Sequence, residues 1–308
     1  MSAWARVKVA LTASAILAVF LVIPAFFLMI AMAVNLPGGG EAPPSVVSDL
    51  FSMTGCVVAI TVIAGRFRKK GVLLPEATGF APREMGGKDA VRMLAAGVGC
   101  GFALSALLNL LPFPAQWMES YDAASLAAFE GEGRIVAVLM SVLFMPLSEE
   151  LVFRGFLLRT LLKGFSPRVS VLAVSVVFGL MHGHPLWISY AFLFGLLLGW
   201  LTLRFENLTA AMLLHMGVNI SSLPGIFLRE SEGYARIAAN PLLLWAFLIL
   251  GGGLAVWTLI GFKGLIGFKG LAGFKGLKDL PSKNAVKRET GERYQPRHVK
   301  KHAFKKDG

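Results

Sequence analysis

Charge is scarce in this chain. Only 16% of its 308 residues are Asp, Glu, Lys or Arg, against about 25% in an average soluble domain. Acidic residues are the scarcer sign, 18 against 30 Lys and Arg. Cysteine is almost absent. Cys56 and Cys100 both lie in apolar runs, which excludes a disulfide framework or a thiolate metal site, and they read as small buried hydrophobes. The H-E-x-x-H pattern of helical zinc proteases is also missing. What the chain has in abundance is apolar surface: 56% hydrophobic residues and a mean hydropathy of +0.67. That balance is that of an integral membrane protein.

A helical span needs about 20 apolar residues. Eight segments come close to that length: 9–34, 44–65, 93–113, 135–158, 169–186, 187–203, 208–228 and 241–261. The first follows Arg6 and Lys8 as a signal peptide would, but Val9 to Val34 is far longer than the roughly 7–15 apolar residues of a signal sequence. It reads as an uncleaved first span. Loop 35–43 has no Lys or Arg, loop 66–92 has seven, loop 114–134 is acidic, and Arg159, Lys163 and Arg168 follow the fourth span. This alternation predicts both termini in the cytosol. The expected fold is an all-α, polytopic transmembrane bundle of about eight spans. It divides into spans 1–3 with a basic loop (1–128), a core of spans 4–7 (129–228), a last span (229–262) and a basic tail (263–308).

The tail carries 13 Lys and Arg against 4 Asp and Glu and supplies most of the net charge of +12. Behind a hydrophobic span, such a tail is drawn to anionic membrane lipid rather than to nucleic acid. Gly-Phe-Lys-Gly-Leu recurs at 261–265, 267–271 and 273–277. The period is too short for a solenoid, so the repeat reads either as an interfacial segment or as a duplication without a role. Gly195 and Gly199, spaced G-x-x-x-G, suit close packing of the sixth segment against a neighbour; a chance pair in a glycine-rich chain is the alternative.

Three polar groups interrupt the apolar core. Glu149, Glu150 and Arg154 follow an uncharged run from Ile135 to Ser148. Each ionisable residue at such depth costs about 2.5–3.5 kcal/mol. Glu150 and Arg154, four apart, can pair. Glu149 is turned about 100° away, which leaves its carboxylate free to accept a proton. Phe178 and His182 share one face of the fifth segment, and His184 precedes a helix-ending Pro185. His215 and Asn219 share one face of the seventh, and both can donate to an oxyanion. The residues alone are compatible with a water-activating site, an open zinc site or a proton relay. Depth raises a difficulty. At about 1.5 Å per residue, Glu149 lies roughly 21 Å from the outer face, and His182 only a few residues from it. A shared site requires the fifth segment to run past Pro185, begin later than Val169, or tilt.

Glu149-Glu150-x-x-x-Arg154, Phe178-x-x-x-His182 and His215-x-x-x-Asn219, in that order on three spans, resemble the motifs of the CPBP intramembrane proteases, the family of CAAX prenyl endopeptidases and bacterial Abi proteins. The resemblance covers roughly residues 130–225. It implies an intramembrane endopeptidase in which Glu149 activates water with help from His182. His215 and Asn219 would hold the oxyanion, with Glu150, Arg154 and Phe178 supporting. If zinc is bound, its ligands would be Glu149, His182 and His215; a metal-independent glutamate mechanism is the expectation. The substrate would be a peptide or lipidated protein. The absence of organelle-targeting features and the chain's size point to a prokaryotic plasma membrane. Two other functions compete: a non-catalytic immunity or scaffold protein with a buried polar network, and a proton-coupled transporter. The latter would be built from paired repeats with broken helices, and no such pairing stands out.

Overall fold

The structure, a computed structural model, describes residues 1–35, 45–80, 85–127, 129, 133–205 and 207–260. Loop 36–44, the Gly-Phe-Lys-Gly-Leu repeats and the basic tail lie outside the described residues. Those described are helical, with no strand among them. The helices are α1 (Ala3–Asn35), α2 (Ser45–Arg68), α3 (Leu74–Thr78), α4 (Gly87–Leu110), α5 (Ala115–Ala127) and α6 (Arg134–Leu161). They continue as α7 (Pro167–Leu180), α8 (Pro185–Phe205), α9 (Leu208–Ile220), α10 (Leu223–Leu228), α11 (Glu232–Ala238) and α12 (Pro241–Ile260).

Among the described residues, seven stretches are long and apolar enough to cross a membrane: α1, α2, α4, α6, α8, the continuous pair α9–α10, and α12. The chain is a multi-pass integral membrane protein. The expected fifth span is the exception. Instead of running over 169–186, α7 has 14 residues, about 21 Å of helix against a hydrocarbon core of about 30 Å. Ser166 caps its N-terminus, accepting from the Val169 amide, and Pro167 occupies its first turn. It ends at Leu180. A turn follows in which Gly183 adopts φ 74°, a conformation glycine enters without penalty, and α8 starts at Pro185.

Two sets of connections gather at opposite ends of the bundle. At one end Gly164 lies against Met1 and Val9, the Lys163 ammonium sits over the Phe67 ring, and the Leu208 amide donates to the Gly79 carbonyl at 3.0 Å. At the other, Ser120 of α5 meets His184 Nε2 at 2.9 Å and Tyr121 packs on His184 and Trp187. Alternate connections therefore share an end, and α7, though short, carries the chain from one set to the other. Its C-terminal turn stops short inside the bundle, with α5 against it. The helix neither runs past Pro185 nor begins after Val169: it covers Pro167–Leu180, and His182 lies in the turn beyond it.

Small residues set the helix contacts. Gly97 of α4 faces Gly217 of α9, and Gly99 faces Gly251 of α12. Without a hydrophobic drive between helices in lipid, such close backbone approach is a main source of packing energy. Gly195 and Gly199 perform the packing role expected of them, lying against Ser175 and Val171 of α7. A buried aromatic column then ties α1, α2, α6 and α7 together: Phe20 on Phe153, Phe67 on Phe156, and Phe153 on Phe178, with centroids 5.2–6.0 Å apart.

A methyl group on Gly217 would sit 2.9 Å from Gly97 Cα, whereas one on Gly253 meets nothing within 4 Å. Gly217→Ala should therefore lower unfolding stability by about 1–3 kcal/mol, and Gly253→Ala should leave it unchanged or raise it by up to about 1 kcal/mol. Thermal unfolding of the two variants in one detergent checks the pair.

Candidate active site

The site is built on α6, which is not a regular α-helix. It is π-helical over Met140–Phe144 and Leu151–Leu158, with an α-helical turn, Met145–Glu150, between them. Such departures cluster at functional sites. Here they have a local cause and consequence. Pro146 has no N–H to give, so the carbonyl five residues back, Ser141, loses the donor a π-helical turn would supply. Asn219 of α9 fills the gap, its Nδ2 donating to Ser141 O at 2.7 Å.

The three polar groups converge. Glu150 and Arg154 pair as expected, with Arg154 Nη1 donating to Glu150 Oε1 at 2.7 Å and neither side chain exposed. Arg154 Nη2 donates to the Gly195 carbonyl of α8 at 3.3 Å, and its guanidinium lies 4.2 Å over the Phe178 ring. The close glycine contact between α7 and α8 is what brings that carbonyl within reach. Glu150 has a second partner that spacing on one helix could not reveal: His215 Nδ1 lies 3.0 Å from Glu150 Oε1. An ionised carboxylate can only accept, so beside it Nδ1 carries the proton and His215 donates. The opposite ring nitrogen, Nε2, faces Glu149 Oε2 at 3.9 Å.

His182 is arranged in the same way. Its Nδ1 lies 2.8 Å from the Phe178 carbonyl, which can only accept, so Nδ1 donates and Nε2 is left free. Phe178 itself stacks edge-on against both rings, at 4.9 Å from His182 and 5.9 Å from His215. Phe194 closes His215 from the other side at 5.3 Å. His182 and His215 both act electrostatically on Glu149. Of the two glutamates, Glu150 is sealed, while the Glu149 side chain keeps 18% of its surface. His184 stands apart from this centre, held by Ser120 and by the Leu186 amide, which donates to its Nδ1.

All seven residues singled out in the sequence therefore lie in or beside one locality, with Asn219 committed by one amide hydrogen to the backbone of α6. Ser141 and the Gly195 carbonyl are the participants that sequence reading missed. Pro146 is a signal for the first; the G-x-x-x-G pair marks the second only indirectly. Among the described residues no group of three His, Cys, Asp or Glu side chains is arranged to hold a metal ion, so the set Glu149, His182 and His215 does not fit zinc as it stands.

Fold and site together define an integral membrane protein with a carboxylate, a neutralised carboxylate–arginine pair and two oriented imidazoles in its interior. Residues 131–221 match the family model described as type II CAAX prenyl endopeptidase Rce1-like. The match spans the whole constellation and agrees with the resemblance carried by the three motifs. No curated protein and no solved structure gives a significant match to the chain.

Removing Arg154 would leave the Glu150 carboxylate buried with only a histidine beside it. Arg154→Met should cost about 3–5 kcal/mol, read as a large drop in unfolding temperature. A near-neutral result would mean that Glu150 is not ionised in the folded protein.

Proposed function

We propose that this protein is a glutamate-dependent intramembrane endopeptidase that hydrolyses a peptide bond in a prenylated or otherwise membrane-anchored protein. The observation that carries this reading is the division of labour between adjacent glutamates. Glu150 is consumed by Arg154 and His215, while Glu149 is partly accessible and faces the free edge of His215.

The charges suggest how the reaction proceeds. Glu150 and Arg154 cancel. Glu149 is then the uncompensated charge, and a proton on His215 Nε2 balances it, giving a second pair. In that state one arrangement supplies both catalytic functions. Glu149, as base, takes a proton from a water that His182 Nε2 helps to orient. The resulting hydroxide attacks the scissile carbonyl carbon. The oxyanion is met by His215 Nε2–H and by the second amide hydrogen of Asn219. Glu149 then returns its proton to the leaving amine as the C–N bond breaks. Burial makes each of these electrostatic contacts stronger than it would be in water.

The non-catalytic reading accounts for Glu150, Arg154 and Asn219, all of which have partners, but gives Glu149 no purpose. Loop charges support both termini in the cytosol; the proposed setting is a prokaryotic plasma membrane, with membrane lipid and a peptide or lipidated protein as partners. No metal is required by the scheme.

Glu149→Gln should lower cleavage of a farnesylated CAAX-type peptide by about 10²-fold or more while the unfolding temperature is kept; full activity in a folded Glu149→Gln protein would remove Glu149 from the mechanism. A strong divalent-metal chelator should leave the wild-type rate within twofold, and loss restored by zinc would replace the glutamate scheme with a metal-assisted one.

A further inference from the structure

A second built feature lies at the end of the bundle where the N-terminus and the connection after α6 meet, far along the helices from the carboxylates. It is a cavity of about 200 Å³ between α1, α2 and the C-terminal end of α6. Four cations line it: Lys8 of α1, Arg66 of α2, and Lys70 and Lys163 just beyond α2 and α6. No acidic side chain lines it, and none of the four forms an ion pair among the described residues.

Two ordinary explanations for clustered lysines fail here. Cations are favoured at helix C-termini, where they complement the last carbonyls. At α2 those carbonyls are already met by backbone amides: Lys69 N to Gly65 O, Lys70 N to Phe67 O, Gly71 N to Arg68 O. At α6 the amides of Leu162, Lys163, Gly164 and Phe165 do the same. Nor are they all independent. The Lys163 ammonium is held below its ordinary pKa by burial and then by the neighbouring charges of Lys70 and Arg159, so Lys70 and Lys163 are close enough to repel.

An independent observation concerns Thr160. It lines the same cavity and is only 4% exposed, yet its hydroxyl has no hydrogen-bond partner. A helical threonine ordinarily bonds back to the preceding turn, as Thr12, Thr54 and Thr61 do here. An unmet buried hydroxyl costs about 1–3 kcal/mol. The remaining wall is apolar, formed by Ile16, Phe67 and Val72.

We propose that this cavity binds the phosphate of a net-negative phospholipid headgroup, with the four cations facing its charge and Thr160 donating to one of its oxygens. Phosphate oxygens suit the four cations and a hydroxyl donor, the apolar wall suits the glycerol and first methylenes, and basic pockets between membrane helices take such headgroups generally. A phosphocholine headgroup, zwitterionic and net neutral, brings a quaternary ammonium that the same four charges repel. The bound lipid would tie α1 and α2 to the end of α6, the helix that carries both glutamates.

The test uses the full-length protein in neutral detergent, titrated with phosphatidylglycerol, phosphatidylcholine or inorganic phosphate and read by native mass spectrometry and unfolding temperature. Phosphatidylglycerol should bind at least tenfold more tightly than phosphatidylcholine and raise the unfolding temperature. Lys70→Gln/Lys163→Gln should lose that preference by tenfold or more, while Lys88→Gln/Arg168→Gln, which removes the same charge elsewhere, keeps it. Thr160→Val, a near-isosteric change, should weaken binding without lowering lipid-free stability. Equal loss in both double variants, or none in either, overturns the site. Stabilisation by millimolar phosphate that also displaces phosphatidylglycerol overturns the lipid assignment in favour of a free anion.

Discussion

Glu150 and Arg154 meet at 2.7 Å with no exposed surface on either side chain, and much of the bundle is arranged around that contact. Removing two charges from water costs several kcal/mol each, and their attraction repays this only when further hydrogen bonds complete both groups. Part of that completion comes from three other helices. The Gly195 carbonyl of α8 takes one guanidinium nitrogen, the Phe178 ring of α7 takes the face, and His215 of α9 takes the shared carboxylate oxygen, while Glu150 Oε2 and Arg154 Nε keep no hydrogen-bond partner. The contacts of one ion pair thus draw α7, α8 and α9 around α6. The catalytic arrangement follows from this: a histidine whose Nδ1 is engaged by Glu150 necessarily offers its Nε2 to the neighbouring carboxylate.

The glycines make this assembly possible. Gly217 lets α9 lie against Gly97 of α4, and Gly195 and Gly199 let α8 close onto Ser175 and Val171 of α7. The short α7 completes the arrangement by ending in the interior, so that its last turn places His182 beside the glutamates instead of at a membrane surface.

Much of this is legible in the residues. Hydropathy finds the spans, since a bilayer admits little besides helices of fixed length. Helical spacing pairs Glu150 with Arg154 and places His215 with Asn219 on one face. What spacing cannot supply is anything between helices. The Glu150–His215 bond joins residues 65 apart, and the bond from Asn219 to Ser141 depends on a π-helical turn and a proline that a count of apolar residues passes over. The length of α7 is misjudged for a related reason: Met181 and Leu186 extend the apolar run across a turn whose only marker is Gly183 before Pro185. Orientation in the membrane rests on loop charge alone.

The account depends on Glu150 holding the Nδ1 proton of His215. Solid-state nitrogen NMR of the protein in lipid, with ¹⁵N-labelled histidine and His215 assigned through a His215→Gln variant, reads that proton directly. Nδ1 of His215 should be protonated and strongly hydrogen-bonded whatever the state of Nε2. A neutral ring with the proton on Nε2 and a bare Nδ1 would contradict the arrangement and the division between the two glutamates that rests on it.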